Sequence, residues 1–283
     1  MAQPTLFPES GFRRLRIDIA YDGTAFFGCA TQPDRRKIQD LVEQAISQVT
    51  RGEVQSIVAG RTDAGVHATG QVIHVDLPDS VFSDSFLYVD LRYKLNRILD
   101  EDVRVMEISD APEGFHARFS ALRRISTYKI LDANEVIPPL SRYDVAPWYR
   151  PLDADLMNKA SALVLGHHDF AAFCKFKEGG TTIRTLEKYQ WHRDETGLLV
   201  AEVVADAFCY SMVRNLVGAV VCVADGRKDP SWMAELLANK ERVSDSLVFP
   251  ARGLSLTRVD YPSDQELLDR AKITIGKRDD GSH

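Results

Sequence analysis

The hydrophobic pattern of residues 15–105 changes its period in an order that narrows the possible folds. It begins with a strict alternation, which predicts a half-buried strand; the apolar residues are Leu15, Ile17, Ile19 and Tyr21. Apolar residues three and four apart over 38–49 then predict an amphipathic helix. Further patterns predict strands near 54–59 and 71–77, a helix near 85–98 and a strand from Val103. The predicted order is β-α-β-β-α-β.

The second half of the chain repeats this order. The predicted elements are a strand near 124–131, a helix near 153–165, strands near 186–193 and 198–205, helices near 211–225 and 230–239, and a strand from Leu254. Two such units predict an α+β fold of two pseudo-repeated βαββαβ halves, each a mixed sheet with helices on one face. We place these halves at 13–112 and 113–262, and expect 263–283 to be a flexible tail.

Composition excludes several classes of protein. The chain is 45% hydrophobic and 27% charged, which is typical of a soluble globular protein. It has no apolar run of the roughly 18–20 residues that a membrane helix needs, and no apolar signal core at its N-terminus. Its four cysteines form no CxxC pair, which favours reduced thiols and a cytoplasmic protein.

Charge and motifs limit the possible ligands. The 35 basic and 41 acidic side chains give a net charge of −6, so nucleic-acid binding would depend on local basic patches. Neither GxGxxG nor GxxxxGK[ST] occurs, and the histidines lack metal-ligand spacing. We therefore expect no nucleotide cofactor and no metal.

The densest cluster of chemistry-bearing residues is Gly60-Arg61-Thr62-Asp63-Ala64-Gly65-Val66-His67-Ala68, between two predicted strands. Arg61 could keep the Asp63 carboxylate ionised, as a nucleophile requires. A plain turn in which Asp63 caps its own loop is the structural alternative. Asp-Ala-Gly also suggests the hypothesis of an aspartic protease, but these enzymes need two such carboxylates that share a proton. The other D-x-G lies in the tail at 279–281, although a homodimer could supply a second Asp63.

Residues 114–130 form a basic segment without any acid between Glu113 and Asp132. Cations and aromatic rings alternate in it, as contacts to phosphates and unstacked bases require; they are Arg118, Arg123, Arg124, Lys129, Phe115, Phe119 and Tyr128. A strand with a solvated basic face is the alternative.

Arg214 opens an almost wholly apolar helix. An unpaired buried charge is costly, so Arg214 needs an acidic partner. Any nearby acid would serve, and the sharper hypothesis is that the partner is Asp63.

These motifs together resemble the tRNA pseudouridine synthases, over about Leu15 to Tyr261. The strongest is GRTDAGVHATGQV at 60–72. The supporting motifs, in the family's order and spacing, are YDGTAFFG at 21–28, IQDLVEQAI at 38–46, FHARFSA at 115–121, GHHDFAAF at 166–173, MVRNLVG at 212–218 and ARGLSL at 251–256.

The resemblance implies two α+β halves whose sheets join, with a basic central cleft between them. It also implies a homodimer that binds the anticodon arm of tRNA, without a cofactor, and isomerises uridine to pseudouridine at positions 38–40. Asp63 matches the catalytic aspartate, Arg61 the arginine that holds the flipped base, and Arg214 the arginine that pairs with the aspartate. The expected substrate-binding residues are Tyr128, Arg118, Arg123, Arg124 and His67.

The sequence departs from the family pattern at two places. Cys29 replaces the usual tryptophan after YDGxxFxG, and Ser126 stands at the position of the active-site tyrosine. Tyr128, two residues on, shares a strand face with Ser126 and is the expected base contact, with a core role as the alternative. Further tRNA contacts are expected from Lys175, Lys177 and Arg184. A catalytically idle RNA-binding module remains the main rival function.

Overall fold

Alternating side chains build the first strand, β1 (Phe12–Tyr21), whose apolar members are buried as predicted. The computed structural model describes residues 7–29, 36–82, 88–175, 180–240 and 247–279. The chain divides into two units, the first formed by Met1–Leu122 with Arg258–His283 and the second by Arg123–Thr257.

The first unit has the predicted β-α-β-β-α-β order. After β1 follow α1 (Ile38–Thr50), β2 (Ser56–Val58), β3 (His67–Pro78), α2 (Tyr88–Ile98) and β4 (Val103–Asp110). The strands are antiparallel, with β1 between β3 and β4 and with β2 on the other edge of β3. The sheet brings β3 next to β1, so that the loop before β3 lies beside the loop after β1.

Helix α1 forms for the reason that its sequence indicates. Ile38, Val42, Ala45 and Ile46 follow the helical period and are buried. The helix ends at Arg51, which adopts the left-handed conformation with φ of 57°. α1 therefore buries one face and exposes the other.

The second unit adds two short strands to the predicted order. Its elements are β5 (Arg123–Leu131), β6 (Ala146–Pro147), α3 (Ala154–Ala162), β7 (Gly166–Asp169), β8 (Ile183–Arg193), β9 (Leu199–Ala205), α4 (Met212–Ala224) and α5 (Trp232–Asn239), and β10 (Leu254–Asp260) starts in it. β5, β9, β8 and β7 are antiparallel neighbours, and β6 runs parallel to β5. β6 and β7 have two and four residues, too few to show a period. α4 is buried on almost every side, as its apolar sequence predicts.

The structure divides the chain differently from the predicted halves. The sequence prediction assigns residues 113–122 to the second half, whereas in the structure they belong to the first unit. Their backbone is anchored there, because Arg14 donates to the Phe115 oxygen at 2.8 Å and Tyr261 donates to the Ala117 oxygen at 2.7 Å. Long-range hydrogen bonds of this kind leave no local trace in the sequence.

The expected flexible tail contains a helix, α6 (Asp264–Asp279). Leu267 is buried, and the backbone of Leu268 lies against Gly114, where a Cβ would stand 2.9 Å away. The many charged residues around Leu267 and Leu268 obscure the apolar pattern that would predict this helix. Residues 280–283 of the predicted tail lie outside the described residues.

Candidate active site

The loop of residues 60–66 joins β2 to β3 and carries the predicted catalytic residues. Asp63 is partly buried and Arg61 is exposed. The segment after β1 holds the loop at two points, because the Cys29 amide donates to the Thr62 oxygen and the Gly65 amide to the Phe26 oxygen, both at 3.1 Å. The loop also closes on itself, since the Val66 amide donates to the Asp63 oxygen at 3.2 Å.

Two glycines of the YDGTAFFG motif allow this close approach. A Cβ on Gly23 would overlap the Val66 carbonyl oxygen. A Cβ on Gly28 would stand 2.8 Å from the Thr62 oxygen and 3.5 Å from the Asp63 carbonyl carbon, and the φ of Gly28 is +99°. Any other residue at Gly28 would therefore strain its own backbone and press on the Asp63 loop.

Two buried polar side chains support the same loop from below. Gln71 donates to the Gly60 oxygen at 2.7 Å and to the Tyr21 hydroxyl at 3.3 Å, and its side-chain oxygen accepts the Gly60 amide at 3.4 Å. The Tyr21 hydroxyl and the Thr62 hydroxyl are 2.8 Å apart. The sequence shows Tyr21 and Gln71 only as members of motifs. It does not predict their supporting role, because that role depends on partners that are distant along the chain.

Cys29, at the family's tryptophan position, is buried beside the loop. Burial raises the pKa of the Cys29 thiol to about 12, against smaller opposing effects of the Tyr21 hydroxyl and the Arg61 charge. A thiol in this state is protonated at neutral pH and unreactive. Cys29 therefore packs against the loop and presents its backbone amide to it.

His67 supports the loop from its far end and is buried. Its Nδ1 is 3.0 Å from the Gly23 amide, which donates, and 3.1 Å from an Asp22 carboxylate oxygen. Burial acts to raise the pKa of Asp22, but hydrogen bonds from Thr24 and the neighbouring His67 outweigh it and lower that pKa. His67 is thus placed to hold the two segments together.

In the second unit, Arg214 lies in the first turn of α4 and clamps Phe249. Its Nε donates to the Phe249 oxygen at 2.7 Å, and its backbone oxygen accepts from the Phe249 amide at 3.1 Å. Arg214 is partly exposed rather than buried. The guanidinium therefore has one N–H satisfied by the backbone of its own unit.

Tyr128 is completely buried in the second unit, on β5. Its hydroxyl donates to the Pro250 oxygen at 2.6 Å, and its ring packs edge-on against Phe249 at a centroid distance of 5.8 Å. A Cβ on Gly253 would stand 2.6 Å from the ring. Burial raises the pKa of Tyr128, against smaller opposing effects of Arg214 and Arg252. This geometry fits the core role that the sequence left open; Ser126 is also buried.

The predicted basic segment is largely neutralised by tertiary partners. Arg123 pairs with Glu187 at 3.0 Å and Lys129 with Asp144 at 2.8 Å. Arg124 is buried and donates to the Asp206 oxygen at 2.6 Å. The rings expected to alternate with these cations are buried as well; they are Phe115, Phe119 and Tyr128. Arg118 is the exposed guanidinium of the predicted set in this segment.

Two histidines, His74 and His116, shape the FHARFSA turn. His74 accepts from the Ala117 amide at 3.0 Å, and His116 accepts from the Phe119 amide at 3.1 Å. Both rings are buried. Burial, reinforced by the charges of Arg14 and His116, lowers the pKa of His74 to about 2. The two rings therefore cap the turn, and His74 does so as a neutral ring.

The cysteines and three further basic side chains, Lys175, Lys177 and Arg184, remain to be placed. The prediction of four free thiols is wrong for one pair, because Cys174 and Cys209 form a disulfide with a Cα–Cα distance of 5.8 Å; Cys29 and Cys222 are free. A separation of 35 residues concealed this pair. Lys175 is exposed, and Arg184, at the start of β8, donates to the backbone oxygen of Thr181 just before the strand at 2.7 Å. Lys177 lies outside the described residues.

The described residues contain no helix with the length and apolar character that crossing a bilayer requires. Nor do those same stretches of chain bring together three or more His, Cys, Asp or Glu side chains in an arrangement that could hold a metal ion.

Comparison with known proteins identifies the class. A sequence model of the tRNA pseudouridine synthase family matches residues 18–120 and 160–262. A protein of Frankia casuarinae named tRNA pseudouridine synthase A is 50% identical over 269 residues, covering 95% of this chain and 96% of the relative. Proteins of the same name from Streptomyces griseus and Mycobacterium leprae are 50% and 47% identical, covering 93% and 92% of this chain and 93% and 94% of the relatives.

The α+β units and the matched segments define an enzyme of the uridine isomerase class. The chain belongs to the tRNA pseudouridine synthase family.

Proposed function

We propose that this enzyme converts uridine to pseudouridine at positions 38–40 of the tRNA anticodon arm, with Asp63 as its catalytic carboxylate. The supporting observation is the Asp63 loop, whose backbone is held on both sides by the segment after β1. A loop fixed in this way holds a carboxylate in one place, which catalysis by a positioned group requires. The high identity to relatives named tRNA pseudouridine synthase A supports the substrate.

The chemistry needs one carboxylate and no redox partner. The bond between C1′ and N1 breaks, the base turns, and a bond forms between C1′ and C5. The C5 hydrogen leaves as a proton and N1 gains one, so substrate and product are isomers. Asp63 could attack C1′, attack C6 or remove a proton from C2′, and each route needs its ionised form. The target base must first leave its stack, at a cost of a few kcal/mol.

Other residues have proposed roles that follow their positions. Arg61 is exposed next to Asp63, and among the described residues no side chain forms a hydrogen bond or ion pair with it, so it is available to hold the flipped nucleotide. Arg214, from the second unit, is proposed to pair with Asp63 and keep it ionised. Arg118 is proposed to contact phosphate. We assign Tyr128, Arg123 and Arg124 to supporting the fold of the second unit, and His67 to supporting the loop.

Two further properties belong to this proposal. The enzyme would act as a homodimer, so that one tRNA contacts both copies. It would work in the cytoplasm, where its tRNA substrate is matured.

The decisive experiment compares Asp63→Asn with the wild type on an unmodified tRNA transcript, with pseudouridine mapped at each position. We expect product at positions 38–40 from the wild type and none from Asp63→Asn, with tRNA affinity changed by no more than a few fold. Asp194→Asn is the matched control, because Asp194 is a loop aspartate whose carboxylate caps the Thr196 and Leu198 amides. It should retain wild-type activity.

The possible results separate the rival functions. Absence of product with any tRNA, together with retained tRNA binding, would favour an RNA-binding module. Turnover above a tenth of wild type in Asp63→Asn would show that Asp63 is a structural loop residue.

A further inference from the structure

We infer that Tyr21 and Gln71 are positioning residues for Asp63, acting through the residues on either side of Arg61; this inference rests on the proposed function. Gln71 is fully buried, and its side-chain amide binds both backbone polar groups of Gly60. A side-chain amide that satisfies the N–H and the C=O of one residue holds the two peptide groups on either side of its Cα in position. The start of the loop is therefore anchored to β3.

The second anchor holds Thr62, through hydrogen bonds that run from the Gln71 amide to the Tyr21 hydroxyl and on to the Thr62 hydroxyl. The Gln71 Nε2 can only donate, so the Tyr21 oxygen accepts from it at 3.3 Å, and the Tyr21 proton faces the Thr62 hydroxyl at 2.8 Å and the Cys29 thiol. Burial raises the pKa of Tyr21 well above its usual value, so this proton is present throughout the neutral range. Gln71 thus acts on Thr62 through Tyr21.

The two anchors bracket the residues that face the substrate. Gly60 and Thr62 are fixed by buried partners, whereas Arg61 between them is exposed. Thr62 is bound twice, through its hydroxyl to Tyr21 and through its carbonyl oxygen to the Cys29 amide. Asp63 follows directly, so the peptide that carries it has little freedom to turn. A displacement of about 1 Å at a reacting group can reduce the rate by about a hundredfold.

A double-mutant cycle tests the inference. Tyr21→Phe and Thr62→Val each remove one hydroxyl and keep the shape of the side chain. Each should lower the single-turnover rate constant at saturating tRNA about tenfold, with the half-saturating tRNA concentration changed less than twofold. The double variant should lose no more than about threefold beyond either single variant, because both changes remove the same contact. Thr62→Ser, which keeps the hydroxyl, should stay within threefold of wild type.

Tyr261→Phe is the matched control in the same unit. It also removes a tyrosine hydroxyl with a protein acceptor, the Ala117 oxygen at 2.7 Å. Thermal unfolding of each variant measures the loss of stability. Tyr261→Phe should lose comparable stability and keep the wild-type rate constant. If either Tyr21→Phe or the double variant fails to fold, the comparison of Thr62→Val with Thr62→Ser decides the question alone.

The outcomes are distinct. Losses that multiply to about a hundredfold in the double variant would overturn the inference, as would Thr62→Val with the wild-type rate. An active wild type in either case leaves the proposed function standing. A wild type that makes no pseudouridine in any tRNA would overturn the proposed function, and the positioning role with it.

Discussion

Gly28 lies so close to Thr62 that a methyl group on its Cα would stand 2.8 Å from the Thr62 carbonyl oxygen. That oxygen accepts the Cys29 amide, one residue along from Gly28. The glycine and the hydrogen bond therefore act together, because only a residue without a side chain lets the bond form. This close approach of Gly28 to Thr62 fixes the position of the peptide that leads into Asp63.

We expect Gly28→Ala to lower activity at least tenfold. The new methyl group would push the Thr62 carbonyl and displace the loop. Gly11→Ala is the control, because Gly11 also has a positive φ, +84°, but a Cβ there meets nothing within 4 Å. Both variants carry backbone strain of about 1–2 kcal/mol, so thermal unfolding should show a loss of stability in each. The rate constant should fall in Gly28→Ala alone. Equal activities would separate the Gly28 contact from catalysis.

Arg214→Met should reduce both stability and activity. The change removes the Nε donor to the Phe249 oxygen and the charge proposed to face Asp63. If the pairing is correct, adding Asp63→Asn to Arg214→Met should restore part of the lost stability, because no carboxylate is then left without its partner. Unfolding in urea gives both free energies.

The exposed Arg258 supplies the control for that experiment. It pairs with Asp260 at the surface, and such pairs contribute about 0–1 kcal/mol. Arg258→Met should therefore change little. A double variant that is no more stable than Arg214→Met would mean that Arg214 has another acidic partner.

Much of the fold follows from local periodicity. β1, α1 and α4 form where the spacing of apolar residues indicates, because each element buries the face that its own pattern defines. β6 and α6 escaped prediction for opposite reasons. β6 has two residues and no period, and α6 buries Leu267, which its charged sequence does not reveal.

The site divides in the same way between local and distant information. Arg61 and Asp63 stand out because a short loop collects them. Tyr21 and Gln71 are 50 residues apart, so their shared hydrogen bond required the β1–β3 pairing to be known. The sequence predicts that Arg123 contacts phosphate, because its partner in the structure, Glu187, comes from another strand. The charge of a segment therefore does not predict ion pairs with residues that are distant along the chain.

Tyr128→Phe should lower stability by about 1 kcal/mol and leave activity within a few fold. It removes one hydrogen bond to the Pro250 oxygen and keeps the buried ring. Tyr128→Ala should lose about 3–5 kcal/mol, since it leaves a large cavity against Phe249 and Gly253. Urea unfolding and turnover with tRNA check both. If Tyr128→Ala folded normally but bound tRNA at least tenfold more weakly, the ring would be a base contact after all.

Arg118 and Arg124 should affect tRNA binding differently. Lys and Arg side chains that neutralise phosphates release counterions, so each contact adds about 0.7–0.9 to the slope of log affinity against log salt. Arg118 is exposed, and Arg118→Gln should flatten that slope by roughly this amount. Arg124 is buried on the Asp206 oxygen, so Arg124→Gln should reduce stability and leave the slope unchanged. Titrations at several salt concentrations distinguish the two; a flatter slope in Arg124→Gln alone would reverse the assignment.

His74 should make the protein less stable in mild acid. Burial, with the charges of Arg14 and His116, lowers its pKa to about 2, whereas in the unfolded chain a histidine titrates near 6.5. Between these values the unfolded state binds the extra proton, so stability falls as the pH drops below about 6.5. From pH 7 to pH 5 the contribution is about 2 kcal/mol, because 1.5 pKa units at about 1.4 kcal/mol each separate 6.5 from 5.

His74→Asn keeps an acceptor for the Ala117 amide and removes the titration, so it should lose about 2 kcal/mol less stability than wild type over this range. Urea unfolding at both pH values measures the difference, with the exposed His192→Asn as a control that should follow wild type. Identical acid losses in wild type and His74→Asn would place the acid sensitivity elsewhere, since no other change distinguishes the two proteins.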